Sequence, residues 1–198
     1  MIVIVDYKAG NLASVAKAFE HLGKRVCVTG NPAVVRKADR LVLPGVGHFA
    51  ATAALERSGI RDAIRMAIER GVFFLGICLG MQWLYEGSAE APDAAGLALI
   101  SGSCARFPRD VKVPHVGWNR LRVREGSRLL RGLGEAPFVY FTHSYRAPVT
   151  TEACGVSDYG GEFAAAVERE NVYGVQFHPE KSGAAGLSIL RNFAELAC

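Results

Sequence analysis

Residues 72–85, V-F-F-L-G-I-C-L-G-M-Q-W-L-Y, constrain the fold more than any other part of this chain. The run opens with four apolar residues, as a strand buried on both faces requires. Gly76-Ile77-Cys78-Leu79-Gly80 follows, and 81–85 holds helix formers with no Pro or Gly. Strand, tight turn and helix in one short stretch specify a βα unit. The turn has the G-x-C-x-G spacing of a nucleophile elbow with Cys in place of Ser. Its two glycines allow backbone to crowd against a residue held in a strained conformation. At the helix N-terminus, unpaired N–H groups and the dipole would favour a Cys78 thiolate. A cysteine among Phe, Leu and Ile is equally a small buried hydrophobe, so residues elsewhere have to decide.

Upstream, the same alternation recurs. Residues 2–5 read as a buried strand, and Asn11 as the N-cap of a helix over 12–22 closed by Gly23. Strands over 25–29 and 41–43 follow, the second running into Pro44-Gly45-Val46-Gly47, then helices over 49–56 and 60–69. Strands alternating with helices predict an α/β fold: a mostly parallel central sheet with helices on both faces. From 97 to 176 short runs separated by turns predict antiparallel strands, and 184–196 a closing amphipathic helix.

With 198 residues, half of them hydrophobic, and no internal repeat or linker, the expectation is one domain over 1–198. A net charge of +4 is too mild to imply nucleic acid or membrane. No apolar run approaches a membrane span, and residues 1–6 read as a strand rather than a signal peptide. Residues 106–131 carry eight basic against two acidic side chains. Arg120, Arg122 and Arg124 alternate with Leu121 and Val123, which points to an arginine-faced edge strand rather than a nucleic-acid site. Cysteines 27, 78, 104, 154 and 198 are odd in number, scattered and without a C-x-x-C pair. That spacing argues against a zinc site or disulfide framework, so no metal or cofactor is expected and a cytoplasmic setting is.

A second apolar run, 172–177, ends abruptly in His178-Pro179-Glu180. Proline biases His178 toward extended backbone, where side chains at i and i+2 share a side. A carboxylate could then orient an imidazole that deprotonates a thiol. Polar residues at the tip of a strand reaching solvent would look the same. Cys78 also stands at a strand end, where sites of open α/β sheets collect, and this favours catalysis. Pro44-Gly45-Val46-Gly47 is a third strand-end loop. It could aim a backbone N–H at an oxyanion, with the Leu79 N–H as second donor; taken alone it is also an ordinary turn.

The elbow together with V-Q-F-H-P-E-K-S resembles the class I glutamine amidotransferases. D-Y-K-A-G-N-L, L-P-G-V-G, V-P-H-V-G-W-N and F-T-H-S-Y-R narrow the resemblance to the glutaminase subunits of imidazole glycerol phosphate synthase. That resemblance implies Cys78 as nucleophile, His178 as general base and acid, and Glu180 as its orienting carboxylate. It implies oxyanion donors near Val46 and at Leu79, and L-glutamine contacts from Gly47, Gln82, His143, Ser144 and Tyr145. It also implies a heterodimer with a (β/α)₈ barrel cyclase that receives ammonia, with Asn11, Trp118, Asn119, Tyr140 and Lys181 at or near the interface. Read without the resemblance, Trp118 and Tyr140 could be core aromatics and Lys181 a solvated charge. Two residues depart from the family pattern: Lys8 stands where Gly is usual, and His48 follows P-G-V-G where a small residue is usual. Another synthase using the same chemistry, anthranilate or aminodeoxychorismate synthase, and a non-catalytic subunit on this fold stand as alternatives. His21 is expected on a helix surface and His115 in a turn, neither with a catalytic role.

Overall fold

The computed structural model describes residues 1–197. In the first half the chain runs β1 (Ile2–Val5), α1 (Leu12–His21), β2 (Val26–Thr29), α2 (Pro32–Arg36), β3 (Arg40–Gly45), α3 (Ala53–Arg57), α4 (Ile60–Glu69), β4 (Phe73–Cys78) and α5 (Leu79–Gln82). The second half runs β5 (Gly87–Ser88), β6 (Ser103–Arg106), β7 (His115–Arg120), β8 (Arg122–Val123), β9 (Phe138–His143), β10 (Tyr145–Arg146), β11 (Ala153–Asp158), β12 (Glu162–Arg169), β13 (Val172–Val175) and α6 (Gly183–Glu195).

An eight-stranded sheet forms the centre, in the order β2-β1-β3-β4-β13-β12-β11-β8. The strands from β2 to β13 are parallel, and β12, β11 and β8 add antiparallel to that edge. Alternation along each parallel strand sends side chains to opposite faces. Ile2 and Ile4 join Val15 and Phe19 of α1 and Ile189 and Phe193 of α6 in one core. Val3 and Val5 join Val35, Ile60 and Ile64 of α2 and α4 in the other. Such a side chain, fully buried, contributes on the order of 1.5–3 kcal/mol. Two smaller sheets, β10-β6-β5 and the β7-β9 ribbon, complete the second half. β8 is the arginine-faced edge: Leu121 is buried while Arg120, Arg122 and Arg124 are exposed.

Several local expectations needed correction. Asn11 precedes α1 but makes no side-chain cap. α2 was not anticipated, although Asn31 accepts from the Ala33 N–H at 2.9 Å and Pro32 opens the helix, a clear start signal. The stretch 49–56 divides into a 3-10 turn, Phe49–Thr52, and α3. α5 stops at Gln82 rather than running to Tyr85. The returning segment takes over its carbonyls: Leu97, Leu99 and Ala98 N–H donate to Trp83, Leu84 and Tyr85 at 2.6, 2.9 and 3.1 Å. His115 opens strand β7 and is buried, not in a turn. No helix among the described residues is long and apolar enough to cross a membrane. Cysteines 27, 78, 104 and 154 are free, and Cys198 lies outside the described residues.

Candidate active site

β3, β4 and β13 are neighbours, so their carboxyl ends open side by side. Gly45 pairs with Cys78, and Val175 pairs with Ile77. This register brings Gln176 level with Cys78 and leads the chain on toward His178. Residues near 45, 78 and 178 thus meet because the sheet order makes their strands adjacent.

Cys78 ends β4 with φ 55° and ψ −108°, a conformation rare for any residue with a side chain. The flanking glycines make it possible through close approach. A Cβ on Gly76 would overlap the Gly80 carbonyl, and one on Gly80 would overlap the Leu43 carbonyl. α5 starts at Leu79, so its N–H is among the donors left without an intrahelical partner. At the next strand end Val46 is substantially exposed and Gly47 has φ 92°.

His178 is extended, as a residue before proline should be, but Glu180 lies in a 3-10 turn, Pro179–Lys181. Convergence therefore comes from the turn rather than from continued extended backbone. His178 Nδ1 stands 3.0 Å from Glu180 Oε1, with the two side chains 4% and 1% exposed. β9 fixes this segment: the His178 N–H donates to the Tyr140 carbonyl at 2.9 Å. The Tyr140 N–H donates to Ser182 Oγ at 3.0 Å, which in turn donates to the His178 carbonyl at 2.7 Å. Burial acts against charge on the His178 ring. Hydrogen bonding to Cys78 and Glu180 outweighs it, and the ring is raised to about 10. An imidazole in contact with both a thiol and a carboxylate can pass a proton between sulfur and a leaving group.

A cleft of about 350 Å³ opens at this point. Val46, Gly47, Cys78, Leu79, Gln82, His143, Ser144, Tyr145, His178 and Lys181, all named from sequence, line it. Two of them carry more constraint than the sequence suggested. The Gln82 Nε2 group donates to the Tyr145 carbonyl and to Gln176 Oε1, each at 2.9 Å, so its oxygen is what it can offer the cleft. His143 uses both ring nitrogens internally, on the Tyr145 carbonyl at 2.8 Å and on His115 at 3.1 Å.

Sequence reasoning missed Gln176, Glu90 and Thr142. Gln176 is fully buried and aims its Nε2 at Cys78 Sγ, 3.6 Å away; its place two residues before His178 was the available signal. Glu90 reaches the cleft from a loop and accepts from the Phe49 N–H at 2.7 Å, a contact with no sequence signature. The Thr142 carbonyl lies 3.9 Å from Cys78 Sγ. Of the residues named for an interface, Trp118 is 56% exposed rather than a core aromatic. Its ring meets Tyr140 edge-on at 6.0 Å, and Lys181 Nζ sits 5.9 Å from the Tyr140 ring centre. Asn119 donates to the Asp158 carbonyl at 2.9 Å, and α1, which follows Asn11, lies against the Pro179–Lys181 turn. Among the described residues no cluster could hold a metal ion.

Residues 3–196 match the family model "Glutamine amidotransferase class-I". The chain is 50% identical to the "Imidazole glycerol phosphate synthase subunit HisH" of Methanothermobacter thermautotrophicus, covering 99% of this chain and 98% of that one. It is 48% identical to the protein of the same name from Moorella thermoacetica, covering 98% and 94%. A crystal structure of a glutamine amidotransferase superposes with a TM-score of 0.76 at 20% identity over 98% of this chain and 97% of that chain, a likeness of fold. The chain belongs to the class-I glutamine amidotransferases, within the HisH subunit family.

Proposed function

We propose that residues 1–198 form a glutaminase unit that hydrolyses L-glutamine through Cys78, His178 and Glu180. The ammonia passes to a (β/α)₈ barrel cyclase subunit, which makes imidazole glycerol phosphate and aminoimidazole carboxamide ribotide in histidine biosynthesis. One observation carries the reading: a strained Cys78 lines the same cleft as His178, whose ring is paired with a buried Glu180.

In this scheme Cys78 Sγ attacks the side-chain amide carbon of glutamine while His178 holds the thiol proton. The Leu79 N–H and one from the Val46 segment receive the charge that develops on oxygen. His178 gives its proton to the amide nitrogen, the C–N bond breaks, and ammonia leaves a glutamyl thioester on Cys78. A water deprotonated by His178 then attacks the thioester and releases glutamate, restoring the thiol. Glu180 keeps the His178 Nδ1 hydrogen in place throughout. Gln82 Oε1, the Gly47 loop, Ser144 and Tyr145 bind the substrate, and the Glu90 carboxylate suits its α-ammonium group.

The barrel subunit docks on the β7-β9 ribbon, beside the cleft. Val116, Trp118 and Phe138 expose 55%, 56% and 51% of their surface there, an apolar patch next to Tyr140 and Lys181. The heterodimer works in the cytoplasm, without nucleic acid, membrane or cofactor.

The test is Cys78→Ala in the reconstituted complex. Glutamine-dependent synthesis is expected to fall by a factor on the order of 10⁴–10⁶, while added ammonium salts still support synthesis. Loss of both activities would make the cysteine structural and overturn the reading. Co-purification with a chorismate-using enzyme in place of a barrel cyclase would overturn the partner.

A further inference from the structure

Two buried histidines lie beside the cleft, and the catalytic scheme uses neither ring as acid or base. His115 and His143 are 4% and 6% exposed, with His115 Nδ1 3.1 Å from His143 Nε2. The His115 ring stacks on Tyr159 and Phe141 with centroids 4.1 and 4.9 Å apart, and Phe107 and Phe163 meet both histidines. A phenylalanine would fill this aromatic box without desolvating a nitrogen. What a histidine adds is hydrogen bonding, and its direction is fixed.

The Tyr145 carbonyl, 2.8 Å from His143 Nδ1, only accepts, so Nδ1 carries the hydrogen. In a neutral ring Nε2 is then an acceptor, and His115 Nδ1 must donate to it. His115 Nε2 is left to accept from Asn119 Nδ2 at 3.5 Å. Burial keeps both rings neutral, lowering His115 to about 4 and His143 to about 3. At the other end, the Tyr145 carbonyl also accepts from Gln82 Nε2, Gln82 bonds to Gln176, and Gln176 reaches Cys78 Sγ. An unbroken set of polar contacts thus runs from strand β7 to the nucleophile.

We propose that His115 is a positioning residue for glutamine hydrolysis, holding His143 in the Nδ1–H tautomer that anchors the Tyr145 carbonyl and, through it, the Gln82 amide. This rests on the glutaminase reading. Gln82 and Tyr145 contact substrate in the ground state and transition state alike, so the loss falls on KM rather than kcat.

Two measurements test it. Histidine ¹⁵N NMR of the full wild-type chain, assigned with single-histidine variants, is expected to show Nδ1–H on both His115 and His143. Nε2–H on His143 would overturn the proposal even if no variant folds. In the complex with the synthase partner, His115→Phe keeps the ring packing and removes the donor. It is expected to raise KM for glutamine about tenfold with kcat within about threefold. His115→Asn presents an N–H near the Nδ1 position and should return KM to within about threefold of wild type. A folded His115→Phe with wild-type KM, or equal impairment in both variants, would overturn the proposal. If the wild-type complex releases no glutamate, the glutaminase reading fails instead, and the tautomer measurement still stands alone.

Discussion

Residues 1–85 reach the cleft through strand tips, whereas residues 86–197 reach it through antiparallel pairs and turns. In the first half, β3 and β4 lie side by side and each tip continues directly into its functional loop, Val46–Gly47 or Cys78–Leu79. In the second half, His178 depends on β13 pairing with β4 across about a hundred residues of chain, on a 3-10 turn, and on Tyr140 of β9 holding the backbone. Local sequence builds the strained cysteine turn, while long-range pairing brings the histidine to it. The cysteines make the same contrast. Cys104 of β6 is pushed up to about 12 by burial and by Glu90, and Cys154 of β11 is raised further by burial, so both stay thiols. Among the described cysteines, only Cys78 combines a strained turn with a neighbouring imidazole.

After the loss expected for Cys78→Ala, the largest effect belongs to Glu180→Gln. It keeps the shape but removes the charge facing His178 Nδ1, and glutaminase turnover should fall on the order of 10²–10⁴-fold with the fold intact. A loss as complete as that of Cys78→Ala would mean that the two halves contribute equally. Gly80→Ala tests the local half, because its Cβ would overlap the Leu43 carbonyl. Denaturant unfolding should show a loss of about 3 kcal/mol, and an unchanged midpoint would refute the crowding argument.

Stability against pH is expected to fall on both sides. His178, ordinarily near 6.5 and raised to about 10, contributes stability that is whole below pH 6.5 and lost as pH climbs toward 10. His115 and His143 are depressed, so below pH 6.5 the unfolded chain takes up protons that the folded chain refuses. Each group acts with a slope of at most about 1.4 kcal/mol per pH unit. Urea midpoints across pH 4–10 would check this, and Glu180→Gln should flatten the alkaline side. The smallest effect is expected at the β8 edge. The Arg122–Glu162 pair, 2.7 Å apart with side chains 64% and 53% exposed, should change stability by no more than about 0.5 kcal/mol in Arg122→Ala.

Where strands are short and apolar, as at β1, β3 and β4, the sequence is legible because a strand buried on both faces reads as one unbroken apolar run. The α2 helix, five residues long, is too short for periodicity to reveal, although its Asn-Pro start is present. α5 ends sooner than its helix formers suggest because the carbonyls of residues 83–85 are claimed by residues 97–99, which no local window includes.

A strained cysteine turn, a His-Pro-Glu strand end and a glycine loop are local features of the chain, since each follows from backbone sterics and neighbouring residues. That these ends are adjacent, that Gln176 and Glu90 join them, and that His115 stands behind His143 emerge only once the chain is folded. Those facts depend on sheet order and on contacts between residues far apart in the chain, which local propensity does not encode.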